Sequence, residues 1–336
     1  MRALRRAVPP ALKAWLRALR PRRGHQRPPG LVASESFGVL VSERKSWLFA
    51  NLPESAAAYH YDIFFKTSQK RHARRLGLEV AHDYLTNVSL DEALAYIEDT
   101  QLDRFVIKPN LSYSGIACRM LIRENGAFRD LLSGRRLRTS RLRRELRDEQ
   151  IRGRPDEWIV EELLLPADGS TSVIEDYKFY CFGGVTELIT HRRPGRGPKK
   201  RYRYRFTRDW EPVEVGFDDR NDGKPRVPAN AARLLEVAEG AASQLCYPFI
   251  RIDLYDTSRG IVLGEFTPGP GQRYGLNPEW NARFVRRWHE AANEIVEGIR
   301  SGRITPLGPE PVDHPQRDVT PDVDEDPQAD TGITRL

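Results

Sequence analysis

The sequence predicts an α+β fold in which antiparallel sheets are flanked by helices. Short apolar runs at residues 105–107 and 158–160 are typical of buried strands, and residues 89–99 show helical spacing after a Ser start signal. Residues 249–255 and 261–266 are two strand patterns joined by a Ser-Arg-Gly turn. Strands joined by a short turn pair antiparallel. The helical segments between the strand patterns are expected to pack on the sheets as flanking layers.

Further elements continue this alternation. Gly183-Gly184 separates two strand patterns and favours a tight hairpin turn, since glycine accepts the positive φ such turns need. The remaining predicted elements are strands over 174–182 and 185–190 and helices over 68–76, 228–245 and 279–300.

Composition predicts a folded body between two polar ends. Residues 1–30 form a basic arm and linker with nine Lys/Arg and no Asp/Glu. Residues 303–336 are rich in Pro and Asp, a composition that cannot bury a core and predicts disorder. Between them we expect a reduced N-terminal segment (31–65), a central subdomain (66–160) and a C-terminal subdomain with a metal site (161–302).

The formal net charge of +7 arises from the basic arm, because the rest of the chain has 45 basic and 47 acidic residues. A nucleic-acid enzyme more often carries its basic patch on the folded domain, so we expect no nucleic-acid partner. A second basic segment, 135–147, is diluted by Glu145 and the acids that follow it. We interpret it as a solvated helix face, with a nucleic-acid patch as the alternative.

The location of the chain is inferred from its cysteines and its first residues. Three cysteines, Cys118, Cys181 and Cys246, fit no disulfide or metal framework, so we expect the cytoplasm. Residues 1–20 place apolar side chains at helical spacing among Arg and Lys. This segment could touch the inner face of a membrane peripherally, form a disordered arm, or pack at an interface.

Lys108 is the first candidate site residue. It ends a buried strand pattern and precedes a loop of small residues that includes Ser112, Ser114 and Gly115. A strand-end lysine can reach a phosphate as a point charge, and backbone N–H groups of such a loop can fold over phosphate oxygens. The alternative is a solvated lysine followed by an ordinary loop.

The hairpin over 249–266 gives the strongest signal. Arg251 and Asp253 alternate on one strand and so share a face, while Glu265 lies on the returning strand. Apolar neighbours such as Ile252 and Phe266 predict partial burial, and buried like charges need a cation. The sequence therefore favours carboxylate ligands for Mg²⁺ over a cross-strand salt-bridge network.

The order of these motifs resembles the ATP-grasp superfamily and, within it, the TupA-like family, named for a teichuronopeptide biosynthesis protein. The motifs are FVIKP followed by NLSYSG, then IVEELL, RID and GEFTPGPG, and the resemblance runs over about residues 60–295. It implies an ATP-grasp fold in which two α/β subdomains clasp a nucleotide, with ATP and one or two Mg²⁺ ions bound.

The resemblance also implies roles for individual residues. Phosphate-binding lysines, the triphosphate loop and the acidic adenine linker match Lys70, Lys108, Ser112, Ser114, Gly115, Glu161, Glu162 and Leu164. The metal ligands match Asp253, Glu265 and Thr267, where Thr267 replaces the usual Asn and offers a weaker neutral ligand. Residues that contact the transferred group or a substrate carboxylate match Arg251, Lys178 and Arg192. Gln69 stands where an Asp is common.

The function implied is a carboxylate–amine ligase that forms an amide through an acyl phosphate, with small-molecule or polymer-linked carboxylate and amine substrates. The resemblance places the product among cell-surface polysaccharide or peptide conjugates or amino-acid conjugates. Two alternatives remain open at this point. One is a kinase of the same fold that phosphorylates a sugar or polyol hydroxyl, and the other is a non-catalytic nucleotide-binding protein.

Overall fold

The structure, a computed structural model, describes residues 36–112, 115–150, 152–194, 201–216, 224–269 and 276–309. The predicted α+β class is confirmed, because these residues form seven α-helices and two six-stranded sheets. The basic arm (1–30) lies outside the described residues.

The helices are α1 Phe37–Asn51, α2 Glu54–Tyr61, α3 Lys66–Arg75, α4 Leu90–Thr100, α5 Thr139–Glu149, α6 Ala231–Gln244 and α7 Pro278–Arg300. The strands are β1 Glu79–Val80, β2 Asp83–Val88, β3 Arg104–Pro109, β4 Arg119–Glu124, β5 Ala127–Asp130, β6 Arg136–Leu137, β7 Trp158–Glu161, β8 Asp176–Phe182, β9 Val185–Pro194, β10 Arg201–Phe206, β11 Ile250–Thr257 and β12 Gly260–Thr267.

The strands form two separate sheets. Sheet 1 has the order β1-β12-β11-β8-β9-β10, and sheet 2 has the order β2-β7-β3-β4-β5-β6. All neighbouring strands pair antiparallel except β1 and β12, which are parallel. The two predicted hairpins are β8–β9 and β11–β12, and β11 and β8 pair with each other to place them side by side.

Helices cover most of the apolar sheet surface. One face of sheet 1 packs on α2, α3 and α6 in a core that includes Ala57, Ala73 and Leu234. Part of its other face packs on α1 and α7 through an aromatic cluster around Phe37, whose ring lies 4.9 Å from that of Phe249. The rest of that second face carries polar side chains, and it faces the cleft between sheet 1 and sheet 2.

Sheet 2 has its own core, formed with α4 and α5. Helix α4 begins with a capping box, in which the side chains of Ser89 and Glu92 each bond the other's backbone. The apolar faces of both helices, including Leu94 and Leu146, are buried against Phe105 of β3. Each sheet therefore has an independent hydrophobic core, and a polar cleft can lie between them.

The packing differs from the predicted subdomain limits at two places. Helix α3 and strand β1, assigned to the central subdomain, belong with sheet 1, because β1 pairs with β12 and Ala73 is buried in the sheet 1 core. Residues 303–309, assigned to the tail, are described, and Ile304 packs on the sheet 1 core with its N–H bonded to the Gly298 carbonyl at 3.0 Å. The rest of the predicted tail lies outside the described residues.

The predicted reduced N-terminal segment contains two helices, α1 and α2, and a short 3₁₀ turn at Asp62–Phe64. No helix in the described part of the chain is both long and apolar enough to span a bilayer.

A glycine in the β11–β12 hairpin gives a stability prediction. Gly264 is the extra residue of a β-bulge in β12, and a Cβ there would lie 2.5 Å from the Tyr255 ring. We expect Gly264→Ala to lower the free energy of unfolding by about 1–3 kcal/mol, measured by urea denaturation. Gly240→Ala is the control, because it adds a methyl group to open space on helix α6 and is expected to stabilise by up to about 1 kcal/mol. Equal stabilities of the two variants would contradict this packing.

Candidate functional site

The candidate site is a cleft between the two sheets. Its walls include Lys108 of β3, Cys118 just before β4, and Tyr255 of β11, and the segment that follows β7, with Leu164, closes one end. The Tyr255 ring lies against the bulge at Gly264, where a Cβ would come within 2.5 Å of it. A narrow cleft with apolar walls and a few charged groups is the usual form of a small-molecule site.

Opposite charges are aligned in one row across sheet 1. The register pairs Glu265 with Asp253, and Asp253 with Lys178, so these three side chains share the cleft face. Arg251, two residues before Asp253, bonds both of its oxygens, Nε to Oδ1 at 2.6 Å and Nη2 to Oδ2 at 2.7 Å. Lys178 donates to Oδ2 of the same carboxylate. The structure therefore brings together four residues that the sequence singled out.

Asp253 is buried but charged. Burial raises the pKa of its carboxyl, but Arg251 and Lys178 lower it more, so the pKa lies below its usual value. Glu265 is far more open, with 39% of its side chain exposed and its Oε2 3.8 Å from Arg251 Nη2. Thr267 accepts a hydrogen bond from the same Nη2 at 3.0 Å. Glu265 is thus the carboxylate of the row that an incoming cation can reach.

Lys70, which is predicted to bind phosphate, is bonded to groups of the protein. Its ammonium group donates to the Ala81 carbonyl at 2.9 Å, to Glu161 Oε2 at 2.7 Å and to Asp83. An ammonium group has three N–H donors, so these acceptors use all of them. Lys70 thus holds Glu161 in this structure, which favours another lysine for the phosphate contact predicted for it.

Glu161 joins the two predicted lysines. Its Oε1 accepts from Lys108, while Oε2 accepts from Lys70. Burial raises the pKa of Glu161, but Lys108 and Lys70 lower it more, and the net pKa is below its usual value. Burial likewise lowers the pKa of Lys108, but Glu161 raises it more, so Lys108 stays protonated. Lys108 keeps its charge at the cleft wall, as phosphate binding requires.

Lys66 is a site residue that the sequence analysis missed. Its ammonium group donates to the Ser112 carbonyl at 2.8 Å, at the start of the predicted triphosphate loop. Burial lowers its pKa, Glu265 raises it and Lys108 lowers it, which places Lys66 close to both of those charges. Lys66 is thus the lysine of α3 that faces the cleft, one helical turn before Lys70. The signal in the sequence was FKTSQK, in which two lysines four residues apart share a helix face.

Two buried amides fix the elements around the site. Gln69 Oε1 accepts a hydrogen bond from the N–H of Phe266 at 3.1 Å. Phe266 lies between Glu265 and Thr267, on the part of β12 that extends past its pairing with β1. Asn110 Oδ1 accepts from the Thr67 N–H at 3.3 Å, which ties the first turn of α3 to the end of β3. Gln69 therefore holds the strand that carries the predicted metal ligands.

The predicted adenine linker lies at the closed end of the cleft. The Glu162 N–H donates to the His82 carbonyl at 2.8 Å, and its carboxylate accepts from Arg259 at 3.0 Å, so its side chain points out of the cleft. Leu164 lines the cleft, and no backbone hydrogen bond of Leu164 is found in the part of the chain that the structure describes. The Glu162 carbonyl and the Leu164 backbone are thus the groups placed to meet a base.

The other predicted residues lie as follows. Ser112 and Gly115 flank the loop after β3, with Gly115 in the left-handed region at φ +71°, and Ser114 lies outside the described residues. Arg192 is two strands away from Asp253, half-exposed on the cleft face of β9. The structure therefore separates Arg192 from the row formed by Glu265, Asp253 and Lys178 (the Asp253 row).

The residues of the row fit a hard divalent cation. Asp253, Glu265 and Thr267 offer only oxygen donors, which is the ligand set of Mg²⁺. No group of three or more His, Cys, Asp or Glu residues suited to a metal occurs among the described residues. Mg²⁺ usually keeps waters and takes one or two carboxylates plus substrate phosphates, so the carboxylates of the row can suffice for it.

The shared carboxylate of Glu161 gives a prediction for stability. Glu161→Gln keeps the shape but leaves Lys70 and Lys108 without this counter-charge, and we expect a loss of about 3–5 kcal/mol in the free energy of unfolding. Because the folded pKa of Glu161 is lowered, its contribution is present above the unfolded pKa and is lost as the pH falls through the folded pKa. The difference in the free energy of unfolding between the unaltered protein and Glu161→Gln should therefore narrow below about pH 4.

Glu162→Gln is the matched control for this variant. Its carboxylate is 24% exposed and pairs with Arg259 outside the cleft, so a change within about 1 kcal/mol is expected. Urea unfolding at several pH values measures both variants, and a Glu161→Gln loss no larger than that of Glu162→Gln would contradict the assignment.

Three solved structures illustrate the likeness to known proteins. D-Alanine-D-alanine ligase from Helicobacter pylori is 14% identical, with 69% of this chain and 58% of that chain covered and a TM-score of 0.40. D-Alanine–D-alanine ligase from Bacillus anthracis, complexed with ATP, is 15% identical, with 74% and 70% covered and a TM-score of 0.41. VanG D-Ala:D-Ser ligase from Enterococcus faecalis is 14% identical, with 72% and 62% covered and a TM-score of 0.43.

These likenesses are distant. The chain spans between 58% and 70% of the length of these three ligases. At TM-scores below 0.5 they carry no argument about this chain's activity. A search of the curated proteins finds no significant match.

The family is shown by the sequence profile instead. The profile of the TupA-like ATP-grasp family matches residues 64–283, which include both sheets, Lys66, Lys108 and the Asp253 row. The predicted resemblance is confirmed over most of the chain, and with it the ATP-grasp fold. This chain belongs to the TupA-like ATP-grasp family.

Proposed function

We propose that this chain is an ATP-dependent carboxylate–amine ligase that requires Mg²⁺ and forms an amide through an acyl phosphate. The observation that carries the proposal is the placement of charges across one cleft. Lys108 lies on the sheet 2 side, the Glu265–Asp253–Lys178 row lies on the sheet 1 side, and Lys66 of α3 lies near both Lys108 and Glu265. A nucleotide between them would have its base at Leu164 and its phosphates between the two sets of charges.

The cations of the cleft would bind the triphosphate. Lys108 stays charged through Glu161, and Lys66 lies between Lys108 and Glu265. Both can bind phosphate oxygens as point charges. Glu265, with Asp253 and Thr267, would hold Mg²⁺, which when bound neutralises charge on the phosphates. Fixed charges of this kind need no reorganisation during the reaction and so favour its transition state.

The reaction has two steps. A carboxylate oxygen of the acid substrate attacks the γ-phosphorus of ATP, the bond to the β-γ bridging oxygen breaks, and ADP leaves with that bond's electron pair. The amine nitrogen then attacks the acyl carbon, phosphate leaves, and the amine loses a proton to solvent. Arg251, oriented by Asp253, is placed to bind the group being transferred.

No Ser, Cys or His nucleophile is required by this sequence of steps. Cys118 lines the cleft, but burial raises the pKa of its thiol and so disfavours the thiolate. His191 is buried and bonds Glu175 at 2.8 Å on the opposite face of sheet 1. Both residues are thus consistent with roles outside the chemistry.

The experiment that tests the proposal is hydroxylamine trapping. The protein is incubated with Mg-ATP, hydroxylamine and a panel of carboxylic acids, and ADP and hydroxamate are measured together. We expect equal amounts of ADP and hydroxamate with at least one acid, and no turnover by a folded Glu265→Ala variant. ADP formation without hydroxamate would contradict the ligase, and a stable phosphoester on a hydroxyl substrate would favour a kinase. Normal activity of Glu265→Ala would refute the metal assignment.

The two cleft lysines give a separate prediction. Lys66→Ala and Lys108→Ala should each weaken the binding of a non-hydrolysable ATP analogue about tenfold or more, because each removes a charged phosphate contact. Isothermal titration calorimetry measures the dissociation constants. Arg71→Ala is the control, since Arg71 lies on α3 with 54% of its side chain exposed and pairs with Asp62. Unchanged affinity in both lysine variants would exclude this phosphate site.

A further inference from the structure

The far end of the cleft face of sheet 1 is basic. In β9 and β10 the side chains of Ile189, Tyr204 and Phe206 point into the sheet 1 core. Because neighbouring residues of a strand point to opposite faces, Thr190 and Arg192 of β9 lie on the cleft face. Arg203 and Arg205 of β10 lie there as well.

This basic end continues the row that holds the predicted metal ligands. The register runs from Glu265 to Asp253, Lys178, Thr190 and Arg205 on five neighbouring strands. The charge along this row changes from two carboxylates through one lysine to an arginine.

The next row runs from Asp176 of β8 to Arg192 and Arg203. Arg192 and Arg203 are directly paired across β9 and β10, and both are half-exposed. Like charges directly opposite on neighbouring strands destabilise a sheet. From Thr190 outward, the described cleft-face residues of β9 and β10 include three arginines and no carboxylate. The carboxylate of this row, Asp176, is ion-paired with Lys178 at 2.7 Å. The face beyond it carries net positive charge, which favours an anion.

A buried hydroxyl lies in the same place. Thr190 is 3% exposed, and its Oγ1 has no hydrogen-bond partner. Buried polar side-chain atoms are nearly always bonded to protein, water or ligand. Thr190 lies between Lys178 and Arg205, so a group that binds Arg205 can also bond this hydroxyl.

We propose that Thr190, Arg192, Arg203 and Arg205 bind a second anionic group of the acid substrate. The inference rests on the proposed ligase function and specifies the substrate class. Arg203 and Arg205 also make contacts within the protein. The proposal therefore rests on where their positive charges lie and not on unused hydrogen-bond donors. The substrate is therefore an extended acid with at least two carboxylate or phosphate groups.

The sheet geometry sets the spacing of those groups. Neighbouring strands lie about 4.8 Å apart, so Arg192 lies about 10 Å and Arg205 about 14 Å from the strand of Asp253. The second anion should thus lie roughly 10–14 Å from the reacting carboxylate. Arginine is suited to this contact, because its planar fork binds carboxylate or phosphate through two parallel hydrogen bonds.

Peptides with two acids at graded spacing provide the probe. Capped peptides Glu-Glyₙ-Glu, with n from zero to four, are titrated into the full chain with Mg²⁺ and a non-hydrolysable ATP analogue. Extended chain covers about 3.4 Å per residue, so the Glu residues of the n = 2 and n = 3 peptides lie at the proposed spacing. Glu-Glyₙ-Gln peptides lack the second charge, and Glu-Glyₙ-phosphoserine peptides distinguish phosphate from carboxylate.

We expect the doubly acidic peptides with n of two or three to bind about tenfold or more tightly than their Gln counterparts. The preference should be lost in Arg203→Gln/Arg205→Gln and reduced in Arg192→Gln, with unchanged affinity for the ATP analogue. Arg152→Gln is the matched control, because Arg152 is an exposed arginine before β7 of sheet 2, and it should keep the preference. Thermal unfolding confirms that each variant is folded.

Two results would overturn the proposal. One is equal binding, or no binding, of charged and uncharged peptides to the unaltered protein, and the other is a preference that survives in the double variant. In the unaltered protein the preference should also weaken as salt is raised, which tests it without any substitution. Hydroxamate formation without any charge preference would refute the second anion site alone, whereas a charge preference without hydroxamate from any acid would refute the ligase alone.

Discussion

The ion pairs of Glu161 are the interaction on which the rest of the site depends. One oxygen binds Lys108 of sheet 2, and the other binds Lys70 of α3, the helix that packs on sheet 1. A single carboxylate thus connects the two halves of the cleft and keeps Lys108 charged. Removing one partner of such a buried set is costly, because it leaves an uncompensated charge. The same contact also sets the position of α3, and therefore of Lys66.

The Asp253 row supplies the opposite side of the cleft by a comparable arrangement. Asp253 is held by Arg251 and Lys178, so its charge is already balanced, while Glu265 on the next strand stays open. The β-bulge at Gly264 and the bond from Phe266 to Gln69 fix the strand that presents Glu265. One sheet face therefore carries a balanced buried charge and an accessible one side by side, and its arginines continue the same register toward the far edge.

Much of this could be predicted from the sequence, because the decisive patterns are local. The alternation in RID and GEF placed Arg251, Asp253 and Glu265 on one face, and the structure pairs Asp253 with Glu265 directly. The choice between Lys66 and Lys70 could not be made in this way. Both lie on one face of α3, and only the tertiary contacts of Lys70 with Asp83 and Glu161 decide which lysine is left for the cleft. The role of Gln69 could not be predicted either, because its hydrogen-bond partner Phe266 is distant in sequence.

The charges on both sides of the cleft lead us to expect that a nucleotide binds between the two sheets. A crystal structure of the full chain with Mg²⁺ and a non-hydrolysable ATP analogue tests it most directly. We expect the base at Leu164, phosphate oxygens at Lys66 and Lys108, and Mg²⁺ between the phosphates and Glu265. A nucleotide bound outside this cleft, or phosphates held by Lys70 in place of Lys66, would contradict it.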